Sequence, residues 1–199
     1  FHETKNFQCG EGGALLINDE RYAERAEILR EKGTNRSRFY RGQVDKYTWV
    51  NLGSSYLPSE ILAAHLCAQL EKREEIQAAR KKIWETYYTE LGGWAEENHV
   101  QMPFVPAHCE QTYHMFYMLF PNLEARTKAI AHLKERGVQA VFHYLPLHLS
   151  PMGEKYGGKV GDCPVTEQVS DQLIRLPFYT NMTEDEQKTV IAALKEFSV

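Results

Sequence analysis

Hydrophobic positions recur at helical spacing in two stretches of the amino-terminal half, and both stretches have signals for their ends. The first is Glu20–Lys32, with Asp19 as a candidate N-cap and Gly33 as a stop. The second begins at Ser59 and continues to Leu91, ahead of a pair of glycines. At 1.5 Å per residue it would span about 50 Å, as one helix or as two in line, which favours an element that bridges two packing units.

Two segments of the same half lack helical periodicity. Residues 1–17 carry apolar residues on either side of a glycine-rich turn, Cys9–Gly13, and this pattern predicts two short strands. Residues 34–55 are polar, basic and aromatic, and they are too many for a simple connector. Because aromatic residues argue against disorder, we interpret residues 34–55 as a functional loop.

The carboxyl-terminal half alternates between short apolar runs and amphipathic stretches, which predicts a small α/β domain. Glycines and prolines cluster between residues 91 and 105, so we place the domain boundary there. The predicted strands are 113–120, 138–144 and 173–176; the predicted helices are 123–136, 165–172 and 184–197, the last capped by Thr183; and 145–162 is a loop rich in glycine and proline.

The overall composition excludes several classes of protein. The chain is 43% hydrophobic and 25% charged, with a net charge of −4, so it lacks the basic character of a nucleic-acid-binding domain. No apolar run is long enough for a transmembrane helix, and the amino-terminal segment lacks the charged and apolar regions of a signal peptide. Both observations favour a cytoplasmic location. The four cysteines have no CxxC spacing, which predicts free thiols rather than a zinc site.

Local chemistry stands out at the beginning of the chain. Residues 1–13 read FHETKNFQCGEGG, with a single lysine, Lys5, between apolar residues and a cluster of glycines. Lysine is a catalytic nucleophile when its environment lowers its pKa or when it attaches a carbonyl cofactor. By itself this pattern leaves two interpretations open, a solvated surface lysine and a catalytic one.

The same segment resembles the lysine motif of the DegT/DnrJ/EryC1/StrS sugar aminotransferases, which bind pyridoxal 5′-phosphate (PLP). That motif reads S-F-x-x-x-K followed by G-E-G-G, and Phe1, Lys5 and residues 10–13 match it. The resemblance implies that Lys5 attaches the cofactor covalently. Because some family members carry histidine here and act as dehydratases, Lys5 favours transamination. The chain opens inside this motif without a methionine, so we expect a longer protein.

A second family motif appears in altered form. The loop written G-x-N-Y-R-M in the family reads Gly53–Pro58 here, with Ser55 and Leu57 in place of its asparagine and arginine. The usual phosphate contact therefore cannot be transferred directly, although the Ser55 hydroxyl can donate one hydrogen bond to the cofactor phosphate.

Three stretches narrow the resemblance to one subgroup, the dTDP-4-amino-4,6-dideoxygalactose transaminases. They read NRSRFYRGQVDKYTWV, GSSYLPS and AVFHYLPLH, and the similarity extends along essentially all 199 residues. It implies amination of a dTDP-4-keto-6-deoxyhexose with glutamate as the donor, for cell-surface polysaccharide synthesis. It also implies a homodimer with shared active sites.

The resemblance suggests substrate contacts as well. Arg36 and Arg41, with Arg38 between them, can pair with a pyrophosphate, while Tyr56, His143 and Tyr144 would reach the nucleotide sugar. Ordinary solvated arginines and a core or interface histidine remain the alternatives. We do not expect a metal, since His143 and His148 lack a third ligand nearby.

The predicted fold is therefore α/β, the carboxyl-terminal part of a PLP-dependent transferase. Residues 1–58 would be the remainder of the large PLP-binding domain, 59–105 a long bridging helix and linker, and 106–199 the small domain. Two alternatives stay open, an aminotransferase for another nucleotide sugar such as a GDP-linked one, and a non-catalytic piece. We expect the 199 residues alone to be inactive, because a PLP site needs groups on both sides of the ring.

Overall fold

The structure is a computed structural model that describes all 199 residues. Its internal contacts divide the chain into two compact units, Phe1–Arg73 and Glu74–Val199. None of its helices combines the length and the apolar character needed to cross a membrane. The four cysteines are free thiols, as predicted, and only Cys9 is buried.

The first unit is built from three short helices and the segments between them. They are α1 (Ala23–Arg30), which follows a 3-10 turn at Glu20–Tyr22, α2 (Arg36–Tyr40) and α3 (Glu60–Glu71). The predicted N-cap is confirmed, because the Asp19 side chain accepts a hydrogen bond from the amide of Arg21. Ser59 caps α3 in the same way.

Two glycines fix the segment after α1. Gly33 has a φ of +73°, which ends the helix as predicted, and its carbonyl accepts hydrogen bonds from the amides of Val50 and Asn51 at 2.8 and 3.0 Å. A side chain at Gly33 would lie 1.7 Å from the Asn51 carbonyl oxygen, and one at Gly53 would lie 2.0 Å from the Gly33 nitrogen. The two backbones are therefore in direct contact, and residues 36–47, the arginine–aromatic loop, project from this base.

The amino-terminal prediction of two strands is wrong. Residues 1–12 form a loop of turns closed by backbone hydrogen bonds, and residues 13–17 are extended without a strand partner. Leu15 and Leu16 are 76% and 82% exposed, so the apolar run that suggested a strand has nothing in this chain to pair with. Residues 34–55 also differ from expectation, since they contain helix α2.

The long helical stretch is divided into two helices. Helix α3 ends at Lys72, which has non-helical dihedral angles, and α4 (Arg73–Glu97) begins at once. The predicted stop at residues 92–93 is wrong, because α4 continues through both glycines. Leu91 and Trp94 on either side of them are buried, and the Trp94 indole donates a hydrogen bond to the carbonyl of Phe197 at 2.9 Å. Core packing here outweighs the poor helix propensity of glycine.

The second unit is an antiparallel sheet with helices packed around one core, in agreement with the predicted α/β character. The sheet has the order β1–β3–β2, and its buried positions include Met118 and Ile174, which are cross-strand partners. The elements after α4 are β1 (Tyr117–Leu119), α5 (Leu123–Glu135), β2 (Val141–Phe142), α6 (Pro151–Lys155), α7 (Pro164–Gln172), β3 (Leu173–Arg175) and α8 (Glu184–Lys195).

The predicted elements of this unit are present but the strands are shorter. The segment expected to be a loop, 145–162, contains a 3-10 turn at Leu147–Leu149 and helix α6. Thr183 caps α8 as predicted, in a capping box with Glu186. The division into domains at residues 58 and 105 stays a prediction, since the two compact units meet at Arg73.

The buried side chain of Arg80 holds the segment that leads into β1. Arg80 of α4 is only 6% exposed and donates hydrogen bonds to the carbonyls of Tyr113 and His114 and to the Thr180 hydroxyl. Burial lowers the pKa of Arg80 to about 10, so the guanidinium remains charged at neutral pH. Two of these hydrogen bonds hold the backbone before β1, where Tyr113 has a φ of +49°, and the third connects it to the segment after β3.

The contact between Gly33 and Gly53 can be tested by substitution. We expect Gly33→Ala to reduce the free energy that protects the Val50 and Asn51 amides from hydrogen exchange by about 2 kcal/mol or more, because the added methyl overlaps the Asn51 carbonyl. Gly42→Ala is the matched control, since Gly42 also has a positive φ, +69°, but open space around it. Equal effects of both substitutions would show that the close approach is unimportant.

Candidate active site

Lys5 lies in the closed loop at the beginning of the first unit. The Glu3 amide donates to the Gly10 carbonyl at 2.8 Å, and the Cys9 amide donates to the Phe1 carbonyl at 3.0 Å. Lys5 lies in the turn between these two bonds, so its backbone position is fixed from both sides of the loop. The loop is also joined to α3 through a contact of 3.1 Å between the side chains of Gln8 and His65.

The Lys5 side chain is exposed. Its ammonium group takes part in no hydrogen bond or ion pair, although Glu3 and Glu11 are in the same loop. An exposed amine without a carboxylate partner is accessible to a carbonyl compound. The predicted attachment of a cofactor is therefore compatible with the geometry, and it stays a prediction.

A groove of about 880 Å³ opens beside this loop. It contains two predicted site residues, Ser55 and Tyr56, and one wall is the apolar side of α3; Lys5 is not one of the lining residues. Cys9, Gly12, Leu62 and Leu66 also line the groove. A side chain on residue 12 would lie 2.6 Å from the Cys9 thiol, so the thiol would have to move to make room for it.

Three carboxylates of the first unit pair with the arginines of the arginine–aromatic loop, and we call the set the carboxylate ladder. Its ion pairs are Glu24–Arg38 at 2.8 Å, Glu27–Arg41 at 2.8 Å and Glu31–Arg36 at 2.7 Å. Glu24 and Glu27 lie on one face of α1, and Glu31 follows directly after its last residue. The three predicted pyrophosphate ligands are therefore each held by a carboxylate.

The three ion pairs of the carboxylate ladder differ in burial and in their number of hydrogen bonds. Glu31 is only 6% exposed, and its partner Arg36 also donates two hydrogen bonds to the Tyr40 hydroxyl, at 2.7 and 3.1 Å. The Glu27–Arg41 pair is bidentate, with contacts of 2.8 and 2.9 Å, and these hydrogen bonds hold the pKa of Glu27 below its usual value. The Glu24 pair rests on one contact between exposed groups.

In the second unit, the predicted pair His143 and Tyr144 lies directly after β2. The two ring centroids are 4.9 Å apart, and Tyr144 has a φ of +58°, in the left-handed region that a tyrosine rarely adopts. The buried Ser170 hydroxyl of α7 donates to the Tyr144 carbonyl at 2.8 Å. Residues 143–147 and one side of α7 enclose a groove of about 380 Å³.

His148 contacts a carboxylate of α7 in the same region. Its Nε2 lies 2.8 Å from a carboxylate oxygen of Glu167, and both side chains are largely buried. The same oxygen accepts the Gly161 amide at 2.9 Å, and these contacts hold the pKa of Glu167 below its usual value, with the His148 contact as the largest cause. His148 therefore has a structural role in closing the loop 145–162.

The sequence analysis did not identify the three glutamates of the carboxylate ladder or Arg175. Glu24, Glu27 and Glu31 could have been found, because their helical spacing opposite a basic segment predicts ion pairs. Arg175, whose guanidinium lies 5.6 Å from the centre of the Tyr144 ring, could not, since it is one arginine inside the apolar run of β3.

Comparison with known proteins decides the family. The model of the DegT/DnrJ/EryC1/StrS aminotransferase family matches residues 1–195. This chain belongs to that family. The resemblance of the lysine motif is thereby confirmed, and so is the predicted partial α/β aminotransferase fold.

Individual relatives give the extent of the match. An uncharacterized protein of Methanocaldococcus jannaschii, MJ1066, is 32% identical over 98% of this chain and 52% of its own length. The dTDP-3-amino-3,4,6-trideoxy-alpha-D-glucose transaminase of Streptomyces venezuelae is 26% identical over the whole chain and 49% of its own length. The chain thus spans about half the length of the curated relatives it matches.

Solved structures show the same fold. Spr1654 from Streptococcus pneumoniae in its PMP form has a TM-score of 0.81 and 22% identity, over 98% of this chain and 51% of that one. The same protein has also been solved in a PLP form. Both forms agree with the cofactor that the family resemblance implies.

The carboxylate ladder makes a prediction about pH. Because the pKa of Glu27 is depressed in the folded state, the stability that this pair contributes is present above the unfolded pKa and is lost as the pH falls through the folded value. We expect Glu27→Gln to increase proteolytic cleavage within residues 36–47 at pH 7, and the difference from the native chain to shrink as the pH falls below the unfolded pKa and to disappear below the folded pKa. Glu24→Gln should have the smaller effect at pH 7. A difference that is constant with pH would contradict the assignment.

Proposed function

We propose that the protein containing this chain is a PLP-dependent nucleotide-sugar aminotransferase in which Lys5 attaches the cofactor. The observation that carries the proposal is an exposed lysine amine, without an ionic partner, on a hydrogen-bonded loop of a chain that belongs to the aminotransferase family. The family match covers the loop, since it begins at residue 1.

The residues present fit part of a PLP site. Lys5 supplies the amine for covalent attachment, and the Ser55 hydroxyl, in the groove beside the lysine loop, supplies a donor for a phosphate oxygen. Bound PLP supplies an electron sink for the carbon that loses or gains the amino group. The lysine is needed twice, because its amine, once displaced by the incoming amino group, can carry a proton between carbon atoms of the reacting pair.

For the substrate we propose a dTDP-4-keto-6-deoxyhexose, with glutamate as amino donor and a product destined for cell-surface polysaccharide. The relative that transaminates a dTDP-amino sugar supports this class of substrate, and so does the spore coat polysaccharide biosynthesis protein SpsC of Bacillus subtilis, 26% identical. Arg36, Arg41, Tyr56, His143 and Tyr144 are the proposed contacts. For the arginines this requires that a pyrophosphate compete with the carboxylate ladder.

We also propose a homodimer with shared active sites, working in the cytoplasm. Large apolar side chains of the first unit are exposed in this chain, and apolar surface of this extent favours burial against another polypeptide. They include Leu15, Leu16, Trp49, Leu52, Tyr56 and Ile61.

Attachment of the cofactor can be measured directly. We expect borohydride reduction of the protein with PLP to leave a phosphopyridoxyl group on Lys5, located by mass spectrometry of the peptide that contains it. Lys5→Arg, which keeps the positive charge, should give no label. A label on Lys32 or another lysine in the native protein would disprove the role of Lys5.

The nucleotide can be identified by kinetics. We expect kcat/KM for the dTDP-linked 4-keto sugar to exceed that for the GDP-linked one by about 10⁴-fold, because a site that hydrogen-bonds one base leaves its buried polar groups unpaired with the other. A preference for the GDP-linked sugar would favour the alternative enzyme. Amino transfer to neither sugar, with intact cofactor binding, would exclude both.

A further inference from the structure

Arg175 differs from the other arginines near the proposed sites. It lies on β3, the central strand, opposite Tyr117 on one side and Val141 on the other. Its Nε is buried and has no hydrogen-bond partner, and no carboxylate lies within ion-pair distance of its guanidinium. A buried donor without a partner is unfavourable, so such a group in a folded protein calls for an explanation.

The surroundings of Arg175 are aromatic instead of acidic. The guanidinium carbon lies 5.6 Å from the centre of the Tyr144 ring, which is within range of a cation–π contact. The Tyr144 ring is 66% exposed, so solvent and ligands have access to this side of the sheet. The second ring of the pair, His143, is 4.9 Å away, centroid to centroid.

The backbone of Tyr144 is held in an unfavourable conformation to keep this arrangement. A φ of +58° is sterically disfavoured for a tyrosine, and the hydrogen bond of 2.8 Å from the Ser170 hydroxyl to its carbonyl retains it. Strained backbone of this kind clusters at functional sites, because the surrounding structure must enforce it. Tyr144 is thereby fixed beside Arg175 before any ligand arrives.

We propose that Arg175, positioned by Tyr144, binds the diphosphate of the nucleotide sugar; this inference rests on the proposed function. Guanidinium groups recognise phosphate oxygens through planar pairs of N–H donors, and donors not engaged by a carboxylate remain available for this purpose. Tyr144, but not Arg175, also lines the groove of about 380 Å³, whose apolar walls come from Leu145, Pro146 and Val169. Such walls suit the apolar parts of a nucleotide sugar better than a small, doubly charged amino donor.

Arg126 provides a matched control for Arg175. Arg126 also places its guanidinium over an aromatic ring, Phe142, at 5.4 Å, but its Nε donates to the carbonyl of Asp171 at 3.0 Å. Arg175→Gln and Arg126→Gln therefore remove the same charge and the same type of ring contact. They differ in one respect, because the Nε of Arg126 already donates a hydrogen bond within the protein and the Nε of Arg175 does not.

The experiment measures dTDP binding by calorimetry and steady-state kinetics on the full protein. We expect Arg175→Gln to weaken dTDP binding and to raise KM for the nucleotide sugar by about tenfold or more, with kcat and KM for glutamate within about twofold of native. Arg175→Lys should recover part of the loss. Arg126→Gln should leave all four quantities unchanged, and both glutamine variants should unfold at similar temperatures.

Several results would overturn the proposal. These are unchanged dTDP affinity in Arg175→Gln, equal losses in both glutamine variants, and a rise in KM for glutamate instead of the sugar, which would assign Arg175 to the donor carboxylate. Because dTDP binding needs no amino transfer, Arg175-dependent binding by a protein without transaminase activity would contradict the proposed function alone. Transamination by Arg175→Gln with an unchanged KM for the nucleotide sugar would contradict the present inference alone.

Discussion

Direct contact between the backbones at Gly33 and Gly53 is the constraint on which the first unit depends. There is no room for a side chain at either position, and the hydrogen bonds to the Gly33 carbonyl fix both ends of a segment that would otherwise be a long, open excursion. Closing the base of such a loop holds its two ends together, and the entropy cost of this closure rises only slowly with the length of the loop. The arginines and aromatic residues of the arginine–aromatic loop are thus presented from a fixed base.

The carboxylate ladder stabilises the same loop through ion pairs with its three arginines. Three arginines close together would repel one another, and their ion pairs with the three glutamates remove this repulsion while setting the direction of each guanidinium. A ligand phosphate would have to compete with Glu27 and Glu31, whereas Arg175 has no such competitor. This difference is the reason for proposing that the second unit takes part in anion binding, which the basic segment alone did not suggest.

The sequence was most informative where local signals determine structure. Capping residues such as Asp19, Ser59 and Thr183 act through their nearest neighbours, and they mark the true helix starts. Predictions failed where distant packing decides: α4 continues through two glycines because Trp94 is buried, and residues 13–17 have no strand because no partner is present. Lys5 was found only through a motif resemblance, and Arg175 only through its three-dimensional neighbours.

The central claim is that Lys5 carries the cofactor chemistry of a sugar aminotransferase. The most direct test is a single-turnover reaction in which the full protein, loaded with PLP, is mixed with glutamate and the 2-oxo acid produced is quantified. The account predicts about one 2-oxo acid per bound PLP for the native protein, and none on the same timescale for Lys5→Arg, which lacks an amine able to transfer the proton. Equal yields from both proteins would contradict it.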